Sequence, residues 1–490
     1  MEYFNKLFNP RNVAVLGATN NQMKVGYMVM NNIIACGFTI NDRKKIYPVN
    51  PNPKYKGEKI VGFRAYQKIQ EIPDQVDLAT IVVPSDAVIP SVEACGEANI
   101  PVLVIITAGF KEAGGEYVDM QSELVRVAKK ANIRFVGPNS MGIYSSMDSN
   151  NPLHTGMGFM TPTPGEISII SQSGTFGTFL CNYLGKIRFF VSSGNEASLK
   201  AEDYLEFYAQ DEGTKVIAIF LEGLRDGKRF KKIATEITKR KPVVILKSGT
   251  TQIGSRAAAS HTASIAGKTE VYEGLYKQTG VLKADNITEF LFLIKAAKDL
   301  PYPKGKRAGI LAGGGGYAVY IADACEKGGL DVVPISDDLI QSISEMLPYY
   351  WSRANPIDTV ATWDFNVFPK ILKLMLASGE FDIILTQSLE MKTLIDRYQP
   401  LNKTSLDQVK LFRQFVGDIE KELVKKQIKL ITQFKTPVIL IDPKYPSPSP
   451  AFDLYDKGGI IICPLPEEAI KIAMKLFEYQ AYLKRINENE

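Results

Sequence analysis

The chain has only two histidines, His154 and His261, and the second lies in Gly254-Ser255-Arg256-Ala257-Ala258-Ala259-Ser260-His261-Thr262-Ala263-Ser264-Ile265-Ala266-Gly267. Imidazole is a good nucleophile at neutral pH, and a mount of small residues leaves it open to more than one partner. A solvated loop histidine fits the same pattern, and the loop alone does not separate the two readings. Glu222 ends the apolar run Val216–Leu221. A carboxylate at the carboxyl end of a parallel strand points into the crevice where ligands bind, where it would orient an imidazole and stabilise its charged or phosphorylated form. A helix cap would place a Glu there as well. Arg225, Asp226 and Lys228 read as a solvated helix start, with no role assigned.

Three turns have the composition of anion cradles. Ser171-Gln172-Ser173-Gly174 follows the strand-like run Glu166–Ile170 and opens a helix from Phe176. Hydroxyls and unpaired N–H groups at a helix start form a compact phosphate site. Ser193-Gly194-Asn195 follows the next apolar run, and a second helix start there would grip the same phosphate from another side. Gly17-Ala18-Thr19 closes the run Val13–Leu16, with Gly26 at the next helix start, though this is not a full G-x-G-x-x-G. The second strand ends in Val49-Asn50-Pro51 rather than the acidic residue a nicotinamide site requires. Arg43, Lys44, Lys45, Lys54 and Lys56 surround it, which suits a ligand with an extra phosphate such as coenzyme A, or else a solvated rim. Gly313–Gly316 reads as a close helix–sheet approach, and His154 as a boundary-loop residue more than the lining of a pocket.

The elements that position these residues alternate between apolar β-rich runs and amphipathic helices, the pattern of parallel sheets wrapped by helices. Three blocks separate: 1–145, 155–300 and 305–490, with Ser145–Pro152 as a first linker and Pro301–Lys306 as the second. The expected fold class is α/β. Hydrophobic content of 45% and charged content of 23% are those of a globular protein. Net charge is +5 without a basic stripe, so nucleic acid is not indicated. The five cysteines are scattered with no C-x-x-C, which supports neither a metal site nor a disulfide framework. No apolar run reaches membrane-spanning length, no signal peptide is visible, and the cytoplasm is the expected compartment.

Together these motifs resemble the NDP-forming acyl-CoA synthetases, in particular the alpha subunit of ADP-forming acetyl-CoA synthetase, within the superfamily of succinyl-CoA synthetase. The resemblance runs through Val13–Thr19 with Gly26, Tyr47–Pro51, Thr107–Glu112, Gly137–Gly142, Ser171–Gly174, Ser193–Asn195, Leu221–Gly223 and Ala257–Gly267. The last carries the family's Ser-His-Thr-x-Ser-x-Ala-Gly context. Trp351–Asp358 also resembles a third-domain motif of the family, and Ser140 stands where many relatives have Cys.

The resemblance implies a Rossmann-like CoA-binding domain followed by two flavodoxin-like domains, and the reaction acyl-CoA + ADP + phosphate ⇌ acid + ATP + CoA through an acyl phosphate. His261 would be the phosphorylated residue and Glu222 its orienting carboxylate. Phosphate would be held by Ser171, Gln172, Ser173, Gly174, Ser193, Gly194 and Asn195. CoA would contact Gly17, Ala18, Thr19, Lys24, Gly26, Val49, Asn50, Pro51, Val83, Pro84, Thr107, Gly109, Phe110 and Asn139. The family's ATP-grasp region has no counterpart in the third block, and no Walker A motif occurs. A separate beta subunit, in an alpha2beta2 assembly, would then hold ADP/ATP with Mg2+. The competing readings are a CoA-binding regulator without catalysis, disfavoured by the intact His261, Glu222 and Ser171–Gly174, and a nicotinamide oxidoreductase, disfavoured by the end of strand two.

Overall fold

The structure, a computed structural model, describes residues 2–39, 44–254, 256, 269–360, 362, 364, 366–392 and 406–488. The described chain divides at Leu291/Phe292 into two compact units.

The first unit contains two large sheets. One is built from β1 (Asn12–Leu16), β2 (Lys45–Val49), β5 (Leu78–Ile81), β6 (Val102–Ile105) and β7 (Arg134–Val136), in the order β2-β1-β5-β6-β7. The small hairpin of β3 (Lys59–Ile60) and β4 (Phe63–Arg64) follows β2. The other sheet has β8 (Ile143–Ser145), β9 (Leu153–His154), β10 (Thr163–Ser171), β11 (Lys186–Ser192), β12 (Val216–Leu221), β13 (Val243–Lys247) and β14 (Leu282–Ala284), in the order β14-β13-β12-β10-β11-β8-β9. Every residue of β5, β6, β12 and β13 is buried, which is why those runs are apolar except at Thr80 and Lys247, as parallel strands covered on both faces must be.

The second unit carries β15 (Arg307–Ala312), β16 (Asp331–Val332), β17 (Ile357–Asp358), β18 (Ile383–Gln387), β19 (Val438–Ile441) and β20 (Ile461–Cys463), in the order β16-β15-β18-β19-β20 with β17 against the end of β15. Counted within itself, each parallel sheet winds 2-1-3-4-5, so its crevice opens between its first and third strands. The Rossmann-like first sheet shares this winding with the two flavodoxin-like ones.

Two features differ from the expected blocks. Ser145–Pro152 is not a plain linker, because β8 and β9 on either side of it extend the second sheet antiparallel, through Phe189↔Ser145 and Tyr144↔His154. Blocks one and two also pack into one compact unit, in which they share a core. Helix Glu2–Phe8 stacks Phe4 on Phe207 and Phe8 on Phe207, with Phe8 also against Phe189 and Tyr208. The segment after β11 donates from Asn195, Ala197 and Leu199 N–H to the carbonyls of Pro138, Gly137 and Phe135, at 3.0, 3.1 and 3.1 Å. Strands β14 and β20 were not expected at all: at three residues each, they are too short for periodicity to reveal.

Candidate active site

The turn after β1 is a backbone-to-backbone junction that requires glycine twice. Gly17 has φ +92°, and a Cβ there would sit 2.8 Å from the Val82 carbonyl oxygen; a Cβ on Gly26 would sit 2.1 Å from the Gly17 oxygen. Helix Val25–Ala35 therefore starts directly over the end of β1, with its unpaired N–H groups at the crevice. Gly17 N–H donates to Val49 O at 2.9 Å, and the Asn50 amide to Ala18 O at 2.7 Å. The Thr19 and Tyr55 hydroxyls share a hydrogen bond of 2.8 Å. Lys24, the N-cap residue, is exposed, as are Pro51 and Pro84. Thr107 donates to Val83 O at 2.7 Å, and Asn139, with φ +57°, donates from its N–H to Thr107 O at 2.9 Å. The Gly109 N–H is held by Glu112 at 2.7 Å.

A cavity of about 450 Å³ joins this crevice to the second sheet. Val25, Val83, Thr107 and Asn139 line it from the first sheet, and Gln172, Ser173 and Gly174 from the second. Ser173 caps helix Gly174–Leu184, accepting from Phe176 N–H at 3.4 Å, so this helix start opens onto the cavity. Gly174 is required: a Cβ would lie 2.0 Å from Met141 Cγ, another cavity residue.

Other expected ligand contacts are structural. The Ser171 hydroxyl is buried and donates to Ser173 O at 2.6 Å. The Gln172 amide is fully used: its oxygen accepts from Glu222 and Gly223 N–H (2.6 and 3.0 Å), and its NH2 donates to Glu196 (3.0 Å) and Gly223 O (2.8 Å). Ser193-Gly194-Asn195 is not a helix start, because the next helix begins at Ala201. The Ser193 hydroxyl donates to Glu196 at 2.9 Å, and the Asn195 amide to Glu112 and Gln121 at 2.5 and 2.9 Å. Gly194 abuts the Pro138 carbonyl, 2.3 Å from where a Cβ would be. This turn ties the two sheets together. Phe110 is fully buried among Val88, Val92 and Leu124, so its side chain is core and not a CoA contact.

The basic rim is also largely committed. Lys44 pairs with Asp148 at 3.1 Å and Lys45 with Asp74 at 2.8 Å, whereas Lys54 lies over the Tyr55 ring and Lys56 is exposed. Arg43 lies outside the described residues. His154 is buried on β9 beside Tyr144, away from the cavity lining, and burial holds it down at about 4, so it stays neutral.

His261 lies outside the described residues, but the ends of its segment do not. Thr269 donates to Thr250 O at 3.1 Å, so the chain leaves and returns just beyond β13. On the neighbouring strand Glu222 presents a carboxylate whose Oε2 is shielded from solvent and has no hydrogen-bond partner among the described residues. Lys247, buried at the end of β13, donates to Glu222 O at 2.8 Å; burial lowers its pKa against the opposing pull of Glu222.

Three further charged groups escaped the sequence reading. Lys247 ends an apolar run, which could have marked it. Glu196 is fully buried and takes φ +54°, and burial lifts it to about 7 against the pull of Arg225. Arg225 is not merely a solvated helix start, since its guanidinium lies 3.5 Å from Glu196. Nothing local in the sequence pairs these two, which lie on different strand ends. Among the described residues no group of three or more His, Cys, Asp or Glu side chains is placed to hold a metal.

Residues 11–146 match the CoA binding domain model, and residues 164–297 match the succinyl-CoA ligase like flavodoxin domain model. The alpha subunit of acetate–CoA ligase [ADP-forming] I from Pyrococcus furiosus is 34% identical over 484 residues, covering 97% of each chain. This chain belongs to the alpha-subunit family of the ADP-forming acetate–CoA ligases. The alpha subunit of ligase II from the same organism is 39% identical over 390 residues, 79% of this chain and 81% of that protein. A solved structure of the Ca. Korarchaeum cryptofilum dinucleotide forming acetyl-coenzyme A synthetase 1, in complex with phosphate and ADP, superposes with a TM-score of 0.84 at 31% identity, covering 100% of this chain and 99% of that one. As a member of this ligase family the chain is an acid–thiol ligase subunit with a CoA-binding domain. No described helix is long and apolar enough to cross a membrane.

Proposed function

We propose that this chain carries the acyl half of the ligase reaction: acyl-CoA and phosphate give CoA and an acyl phosphate, and His261 accepts the phosphoryl group before it passes to ADP. The observation that supports this most is a cavity lined both by Val83, Thr107 and Asn139, from which CoA contacts are expected, and by the helix start at Ser173–Gly174. A phosphate oxygen attacking the thioester carbonyl there would expel CoA as its thiol, and the N–H groups of that helix start would steady the anion. The imidazole of His261 then displaces the carboxylate from phosphorus. Glu222, with a buried oxygen that has no donor among the described residues, supplies the acceptor that would orient this imidazole and balance its charge. Bringing the groups into line does most of the chemistry.

A separate beta subunit would supply the nucleotide site with Mg2+, in an alpha2beta2 assembly; two relatives named as alpha subunits, matched over 97% and 81% of their length, support a partner. The five unpaired cysteines suit a reducing cytoplasm.

Incubation with radiolabelled phosphate and a panel of acyl-CoAs tests the reading. Acid-labile, base-stable label on wild type, absent from His261→Ala, is expected, and the acyl-CoA giving most label identifies the substrate. Absence of label from every acyl-CoA, with a beta subunit added, would replace catalysis with CoA binding alone.

A further inference from the structure

Glu196 occupies a place where a carboxylate is costly. It is fully buried, its backbone is in the left-handed region, and it lies between three strand ends. One oxygen accepts from Ser193 Oγ at 2.9 Å, beyond β11, and from the Ala201 N–H at 3.2 Å. The other accepts from the Gln172 amide at 3.0 Å, beyond β10, and faces Arg225 at 3.5 Å, beyond β12. Because Glu196 accepts on one side, the Gln172 NH2 must point toward it. The Gln172 oxygen must then face the N–H groups of Glu222 and Gly223. Glu196 thus reaches the Glu222 backbone N–H through one intervening amide.

We propose that Glu196 is a positioning residue for histidine phosphorylation: its ionised carboxylate, held by Arg225, sets the Gln172 amide that fixes Glu222 at the end of β12. This rests on the proposed function, in which Glu222 orients His261. The charged and titratable groups facing Glu196 are Arg225 beyond β12, and Glu202 and Tyr204 on helix Ala201–Gln210. Arg225 favours its charge and Glu202 opposes it, so ionisation depends on the Arg225 contact.

The test compares initial rates of His261 labelling from acyl-CoA and radiolabelled phosphate in wild type, Glu196→Gln and Arg225→Gln, from pH 6 to pH 8.5. Variant-to-wild-type ratios are read, because the titration of phosphate cancels in them. Glu196→Gln is expected to lose at least tenfold at pH 8 and clearly less at pH 6, where the wild-type carboxyl is itself protonated, while CoA affinity stays within twofold. Arg225→Gln is expected to lose rate at pH 7–8 by shifting the acid limb to higher pH. A ratio for folded Glu196→Gln that is flat with pH, or equal to one, overturns the inference alone. A wild type that takes no label overturns the proposed function, and this inference with it.

Discussion

Gly26 is the most exacting position in the first crevice, and Gly26→Ala measures how exacting. The added methyl would lie 2.1 Å from the Gly17 carbonyl oxygen and 3.3 Å from the Ala18 Cα, both backbone atoms. Real Cβ atoms do not approach within 3.0 Å, so helix Val25–Ala35 must retreat by about 1 Å. Gly17 is itself tied to the sheet, its N–H on the Val49 carbonyl at 2.9 Å, so the helix is the part that moves. Overpacking of this kind costs about 1–3 kcal/mol. For a unit of this size that lowers Tm by roughly 2–5 °C. The retreat also withdraws the N–H groups of the first turn from an anion on the crevice. Loss of one charge-assisted hydrogen bond, about 1.5–3 kcal/mol, weakens CoA binding by about 10- to 100-fold. Gly227→Ala is the control: it lies at a helix start with nothing within 4 Å of the new Cβ, and should leave Tm and CoA affinity unchanged or slightly improved. Thermal unfolding and calorimetric CoA titration of both variants decide the matter. Wild-type Tm and affinity in Gly26→Ala would refute the close approach and the placement of CoA over this turn.

Other variants separate structural from ligand roles. Phe110→Leu should cost about 1 kcal/mol of stability and lower Tm accordingly, yet leave CoA affinity within twofold, since the Phe110 ring packs in the core; a tenfold loss would return it to the ligand. Lys45→Ala should leave CoA affinity and its salt dependence unchanged in a titration, because Lys45 pairs with Asp74. Asp211→Asn breaks the half-buried fork to Arg188 (2.8 and 3.0 Å) and should cost about 3 kcal/mol at pH 7 in denaturant unfolding. Burial alone would raise the Asp211 pKa, but Arg188 and Thr214 outweigh it and hold it below the usual carboxylate range. Its contribution is therefore complete above pH about 4 and lost as pH falls below that, so the wild-type advantage over Asp211→Asn should shrink in acid. An advantage that grows in acid would reverse the assignment.

What could be read from the sequence alone was whatever is local. Val216–Leu221 is buried throughout and had to be continuously apolar, so its bounds were legible to the residue. Gly17 and Gly174 mark strand-to-helix turns that crowd out a side chain, and Ser173 is the cap its residue type announces. Whether a polar side chain is free or committed is not local. Ser193, Asn195 and Gln172 have the composition of a phosphate cradle, but the structure assigns their side chains to Glu196, Glu112, Gln121 and Glu222, up to 83 residues away. Lys44 and Lys45 look like a basic rim until Asp148 and Asp74 arrive from distant segments. Only the packing of two sheets into one unit buries Glu196, brings Arg225 to it, and sets Val83 and Thr107 across a cavity from Ser173. Residue type dictates which bonds a group is able to make; tertiary structure decides the partner, because a buried donor or acceptor must pair with whatever the fold places beside it.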